Sequence, residues 1–368
     1  MSTLIRISNL PSACTSEFSA TLDRYEVNHQ MSQETSTSRI GYIDIFRSFG
    51  IITMVMGHIG YGTAFDHFIH AFHMPMFFWI SGFLFNPRSK DTVTFPALVR
   101  KKAKSLLCPY LVFGLGHYLL LLCGQIVMGA GIDPQPLLHL LWVNTDGLPI
   151  CGALWFLTAL FFADLLYFLM HKFLPNDWFK TLVIVPLALV GNYAASIFPF
   201  TLPYALGPCL VGIGLYHIGY LCRKHGEGKL RSVFQLSWLP SLLLGILTTF
   251  LIFRNGYINM RTQTYAAVPF FWVNAILSII VGVNISRLIW PKLENRRIGK
   301  WLVGIGKDSI VYVCLNQIVI LACYMAVLIT GLPMAVAKIL IFAASFWLLQ
   351  RISKGFMNSK WKVLLGRR

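Results

Sequence analysis

The sequence predicts an all-α, polytopic membrane helix bundle of about ten transmembrane helices, and three observations predict it. Of 368 residues, 56% are hydrophobic and only 12% charged, against about 25% charged in a soluble domain. Mean hydropathy is +0.64. Apolar segments recur at lengths that cross about 30 Å of hydrocarbon, which takes ~20 residues each. The basic residues outnumber the acidic ones, 31 to 14, and gather in alternate loops, the positive-inside bias of membrane proteins. A single soluble domain of this composition would lack the polar surface to cover itself. The same apolar excess excludes a disordered chain or a nucleic-acid-binding basic domain, despite the net charge of +17.

Residues 1–38 are polar and rich in Ser and Thr, with no apolar core of a signal peptide near the start. They are expected to form a disordered cytoplasmic leader, with the first transmembrane helix acting as the insertion signal. The spans then fall at 42–63, 67–86, 106–129, 153–174, 180–199, 203–222, 235–253, 265–289, 305–330 and 332–350. These runs are too long for membrane strands and lack their two-residue alternation. The membrane domain is therefore 39–352, followed by a basic cytoplasmic tail at 353–368. No internal repeat and no second soluble domain is visible.

Orientation follows from the loops. Arg88, Lys90, Arg100, Lys101, Lys102 and Lys104 share a side with the N-terminal segment, and so do the basic residues at 172–180, 223–231, 287–300 and 351–368. That side holds 26 of the 31 basic residues; the other has Arg254, Arg261 and Lys338. Both termini are then expected in the cytoplasm, with an even number of spans in the inner (cytoplasmic) membrane. Seven of the eight cysteines lie in or beside apolar stretches, Cys14 lies in the leader, and no C-x-x-C pair occurs. They read as small hydrophobes packed between helices.

Charges inside spans are costly and usually functional. The candidates are Asp44 and Arg47 in the first helix, Asp164 in the fourth, and Lys307 and Asp308 at the start of the ninth. Asp44 and Arg47 are three apart and so adjacent on the helix surface. His58 follows Arg47 by eleven residues, about three turns, which places it on the same face about 16 Å deeper. One reading is an interfacial ion pair and a hydrogen-bonded core histidine. The other is a polar stripe lining a cavity, with an imidazole poised to take a proton from a hydroxyl near neutral pH.

The second segment carries His67, His70 and His73 at a spacing of three, and His73 directly precedes Met74-Pro75, which can kink a helix. A helix turns histidines so spaced about 60° apart in succession, and no carboxylate or cysteine is regularly placed beside them. Lining of the outer mouth is the expectation, and no metal site is expected.

These motifs together resemble the acyltransferase-3 family of integral membrane acyltransferases. Its first helix carries an Asp, an Arg three later and a Gly-His eleven beyond, as do Asp44, Arg47 and Gly57-His58. Its second carries His-x-Pro-x-Phe-Phe-x-x-Ser-Gly, matched by His73-Met74-Pro75-Met76-Phe77-Phe78-Trp79-Ile80-Ser81-Gly82. The basic run Arg100-Lys101-Lys102-Ala103-Lys104 before Pro109-Tyr110, the segment Leu154-Trp155-Phe156-Leu157 and the segment Tyr216-His217-Ile218-Gly219 also resemble family motifs. The likeness runs from about residue 40 to 350. Two departures stand out: Leu315-Asn316 replaces the family's Leu-His, and its Arg-x-x-Arg appears only loosely, as Lys101 and Lys104.

The resemblance implies a membrane O-acyltransferase with no permanently bound cofactor and with acyl-coenzyme A (acetyl-CoA) as co-substrate. The acyl group, most simply acetyl, would pass to a hydroxyl of a cell-surface or secreted glycan or its lipid-linked precursor: O-acetylation, a polysaccharide modification of the cell envelope. His58 would be general base or transient acyl carrier, with His73 the next candidate. Arg47 would position the thioester and Asp44 would orient Arg47. Arg100, Lys101, Lys102 and Lys104 would hold the phosphates of coenzyme A. The alternative is a transporter or flippase for an anionic or glycan-linked substrate.

Overall fold

A computed structural model describes residues 40–367, apart from 146, 147, 149, 150, 175 and 227. The leader at 1–38 and the terminal Arg368 lie outside the described residues. In chain order the main elements are α1 (Gly41–Ile59), α2 (Thr63–His70), α3 (His73–Phe83), α4 (Phe95–Val127), α5 (Gly152–Phe173) and α6 (Asp177–Asn192). There follow α7 (Leu206–His225), α8 (Trp238–Asn255), α9 (Val268–Leu293), α10 (Arg297–Lys307), α11 (Ser309–Leu328) and α12 (Met334–Asn358). The chain is an all-α membrane bundle. Its one sheet among the described residues is a two-stranded hairpin, β1 (Ile258–Asn259) with β2 (Thr264–Tyr265), between α8 and α9.

Seven of the described helices are long and apolar enough to cross a membrane: α4, α5, α7, α8, α9, α11 and α12. The other three expected spans fall short for a physical reason. α1 carries Asp44, Arg47 and His58. α6 has 16 residues, about 24 Å at 1.5 Å per residue, against about 30 Å of hydrocarbon. The expected span at 67–86 is two helices rather than one kinked one. The break falls at Ala71-Phe72, and Pro75 sits in the first turn of α3, where its missing N–H has no intrahelical partner to lose.

α7 is the most enclosed helix and packs against α3, α5 and α6, while α8 pairs with α9 and α11 with α12. The crossing of α3 and α7 is made by glycines. A methyl on Gly82 would run into the carbonyl of Tyr216, and one on Gly219 into the carbonyl of Trp79. Small residues let membrane helices approach this closely, where packing rather than hydrophobic exclusion holds them together. The outer helices show apolar faces; Leu239, Leu242, Leu243, Ile246 and Phe250 of α8 are exposed, a surface suited to lipid and not to water.

Contacts sort the bundle into two ends. At one, Asp44 and Arg47 meet Gly306, Lys102 meets Asp164, and Arg367 meets Asp308. At the other, His58 meets Gln317, His67 meets Gly256, and Tyr61 meets Lys338. The basic runs gather at the first end. At this end α12 continues to Asn358, a 3-10 turn covers Lys360–Leu365, and Arg367 pairs with Asp308 at 2.7 Å.

Candidate active site

A cavity of about 280 Å³ opens at the end opposite the basic runs. α1 lends it His58, α2 lends Asp66 and His70, α3 lends His73, and α11 lends Gln317. The hairpin segment adds Tyr257, Asn259 and Arg261, and the start of α5 adds Gly152 and Trp155. The helix break between α2 and α3 is what turns the second half of this run toward α1. His58 and His73, from the two most distinctive sequence motifs, therefore share one chamber.

The two imidazoles are held in opposite states. His73, 6% exposed, has Nδ1 at 2.7 Å from the carbonyl oxygen of Ile69. A carbonyl only accepts, so Nδ1 carries the proton and Nε2 of the neutral ring is bare. His58 faces Gln317, whose orientation is set from behind. The N–H of Ala153 donates to Gln317 Oε1 at 3.3 Å, which leaves the amide nitrogen to donate to His58 Nδ1 at 3.4 Å. His58 then carries its proton on Nε2. One ring is a proton acceptor and the other a donor.

Around them Asp66, His67, His70 and Tyr257 are paired. Asp66 binds His70 Nδ1 at 3.2 Å and accepts the Tyr257 hydroxyl at 3.0 Å. Partial burial and the Asp66 carboxylate raise the Tyr257 phenol above its ordinary value, so it stays a donor at neutral pH. Cys151 precedes Gly152 of the cavity wall; burial pushes its thiol up to about 11, so it supplies no thiolate there. His67 turns to the Gly256 carbonyl at 2.7 Å. The three histidines spaced by three thus have three different partners, and among the described residues no cluster is arranged to hold a metal ion.

Asp44 and Arg47 lie elsewhere along α1. Arg47 Nη1 is 3.5 Å from Asp44 Oδ1 and 3.5 Å from the carbonyl of Gly306. Their stripe continues to His58 against α10 and α11, as its spacing predicts, yet Arg47 does not line the histidine cavity. The basic run is divided too. Arg100, Lys101 and Lys104 are exposed, whereas Lys102 donates to Asp164 at 2.6 Å, and Asp164 also accepts the Tyr216 hydroxyl at 3.0 Å. A π-helical turn at Ala103–Leu107 within α4 takes in Lys104, the end of this run; such turns shift the helical register and are frequent at functional sites.

Sequence reasoning missed Asp66, Tyr257, Asn259, Arg261 and Gln317. Two carried a signal. Arg261 is one of three basic residues on the charge-poor side, and Gln317 follows Asn316, the departure from the family motif. Asn316 itself is buried, donates to the carbonyls of Tyr312 and Val313, and does not line the cavity.

A family model described as an acyltransferase domain matches residues 40–354. No curated protein and no solved structure matches the chain.

Proposed function

The chain belongs to this acyltransferase family, and from that premise we propose that it moves an acyl group, most simply acetyl, from cytoplasmic acyl-coenzyme A to a sugar hydroxyl. The acceptor is a surface or secreted glycan or its lipid-linked precursor. The observation that carries the proposal is the histidine pair, a bare Nε2 on His73 and a protonated Nε2 on His58, lining one cavity.

His73 Nε2 takes the proton of the acceptor hydroxyl as its oxygen forms a bond to the thioester carbonyl carbon. His58 Nε2–H donates to the oxyanion that develops there. Collapse of this intermediate breaks the carbon–sulfur bond, and the leaving thiolate takes the proton back from His73. Hydroxyl and thioester become ester and free thiol. This assigns the base to His73 and gives His58, the first expectation for that role, the donor's part.

The donor's phosphates are held at the other end, by Arg100, Lys101 and Lys104. Forked or clustered cations suit phosphate oxygens. Lys102 is committed to Asp164 and acts on the position of the run rather than on the ligand. The pantetheine arm must then carry the thioester from the basic end to the cavity, and Arg47, anchored by Asp44 about 16 Å from the level of His58, guides the arm along that route.

The decisive experiment uses purified full-length protein with acetyl-coenzyme A and envelope glycans. Transfer with release of free coenzyme A supports the enzyme. Vectorial substrate movement without thioester consumption would favour a transporter instead.

A further inference from the structure

Arg261 stands where two cavities meet. It lines the histidine chamber and also a second cavity of about 320 Å³, walled by Thr145, Phe200, Thr201, Thr262 and Gln263. We propose that the acceptor is an acidic sugar, carrying a carboxylate or a phosphate, and that Arg261 binds this anionic group while the neighbouring hydroxyl lies at the histidines. The inference rests on the acyl-transfer reading for its substrate, and on the geometry of Arg261 for its charge.

Among the described residues no carboxylate lies within ion-pair distance of the Arg261 guanidinium. The carboxylate of the histidine chamber, Asp66, has its two oxygens on His70 and Tyr257. A part-buried guanidinium has five donors to satisfy, and leaving them without a partner is costly. Arg261 also lies on the side of the bundle that the charge bias otherwise keeps nearly free of basic residues. Lys338, on the same side, is bonded to the carbonyl of Gly60.

The loop holds this arginine in place. Its own N–H donates to Asn259 Oδ1 at 3.0 Å, and the hairpin pairs Ile258 with Tyr265 and Asn259 with Thr264. Gln263 donates to the Gly191 carbonyl at 2.9 Å and fills a seat that any side chain at Gly207 would occupy. Gly152 leaves room for the guanidinium itself, since a Cβ there would come within 2.8 Å of Arg261 Nη1. A planar fork carried on this held backbone, at the junction of two cavities, suits the paired oxygens of a carboxylate or phosphate. The second cavity leaves space for the next unit of an extended acceptor.

The test measures equilibrium binding of methyl glucuronide, glucose 1-phosphate and methyl glucoside to the full-length protein in lipid nanodiscs. At least one anionic sugar should bind tenfold or more tightly than the neutral glucoside, the scale of a hydrogen-bonded ion pair. In Arg261→Gln that preference should collapse to within about twofold. Arg261→Lys should retain part of it, because the charge remains without the fork. Comparing the two anions tells carboxylate from phosphate. Equal binding of charged and neutral sugars, no binding of either anion, or an undiminished preference in Arg261→Gln overturns the proposal. Acetyl-coenzyme A consumption by the wild-type protein is followed separately. Turnover without anion preference sinks this inference alone, and anion preference without turnover sinks the acyl-transfer reading alone.

Discussion

His73 and Ile69 are joined across a helix break: the Nδ1 of the one donates to the carbonyl oxygen of the other at 2.7 Å, and that bond fixes which nitrogen faces the cavity. General-base catalysis contributes about 10² to 10⁴ in rate. His73→Ala should therefore lose at least two decades in kcat, and His73→Gln should not rescue it, because an amide is no base. His58→Ala should lose a comparable factor, but His58→Gln should recover part of it, since its amide restores a donor. Single-turnover acyl transfer by the four variants checks the assignment; a His73→Gln enzyme near wild-type rate would refute it.

Gln317 acts on His58 without touching the reacting atoms in this scheme. Gln317→Leu removes one hydrogen bond worth about 0.5–1.5 kcal/mol, so kcat should fall by tenfold or less. The pH profile should shift as well, because the His58 tautomer is no longer held. A loss as large as that of His58→Ala would mean that Gln317 itself contacts substrate.

Asp164 and Lys102 should separate stability from donor binding. Asp164→Asn leaves the part-buried Lys102 ammonium without its partner. For a pair that is 30% exposed on the lysine side, the cost is discounted to about 1–3 kcal/mol, read as a lower thermal midpoint in detergent. Neutralising Arg100, Lys101 and Lys104 together should leave the midpoint nearly unchanged. It should raise the KM for acyl-coenzyme A tenfold or more, about 1.4 kcal/mol. An unchanged KM would reduce these three to membrane anchors.

Gly82 and Gly219 should tolerate almost nothing larger. Each faces the backbone of the other's helix, so Gly219→Leu must force α3 and α7 apart, and the His73 side of the cavity moves with α3. Overpacking typically costs about 1–3 kcal/mol and sometimes more. Reduced yield of folded protein is the expected outcome, with Gly304→Ala, which has open space around it, as the matched control.

Topology is checked by cysteine labelling at residues 262 and 360. The sidedness of the basic residues predicts that 360 is reached from the cytoplasm and 262 from the opposite face. Labelling of both from the same side would undo the proposed orientation, and with it the path from donor to cavity.

The sequence by itself determined the membrane class, the sidedness of its charge and the stripe of Asp44, Arg47 and His58. Hydropathy over ~20 residues and a period of 3.6 are properties of the chain alone. It also marked the two glycine-bearing motifs, Ser81-Gly82 and Ile218-Gly219, but not that they pack on each other. What only the tertiary structure decided is the company each residue keeps. Pro75 could have kinked one long helix; instead the break falls at Ala71-Phe72, and Pro75 sits in the first turn of α3. Lys102 looks no different in sequence from Lys101 and Lys104, yet Asp164, 62 residues away, withdraws it from the exposed run. Arg261 and Gln317 reach the histidines from a loop and a helix about 200 residues and more along the chain, and no local pattern encodes such an approach. Periodicity reports how a segment meets its surroundings; the identity of those surroundings comes only from packing the segments against one another.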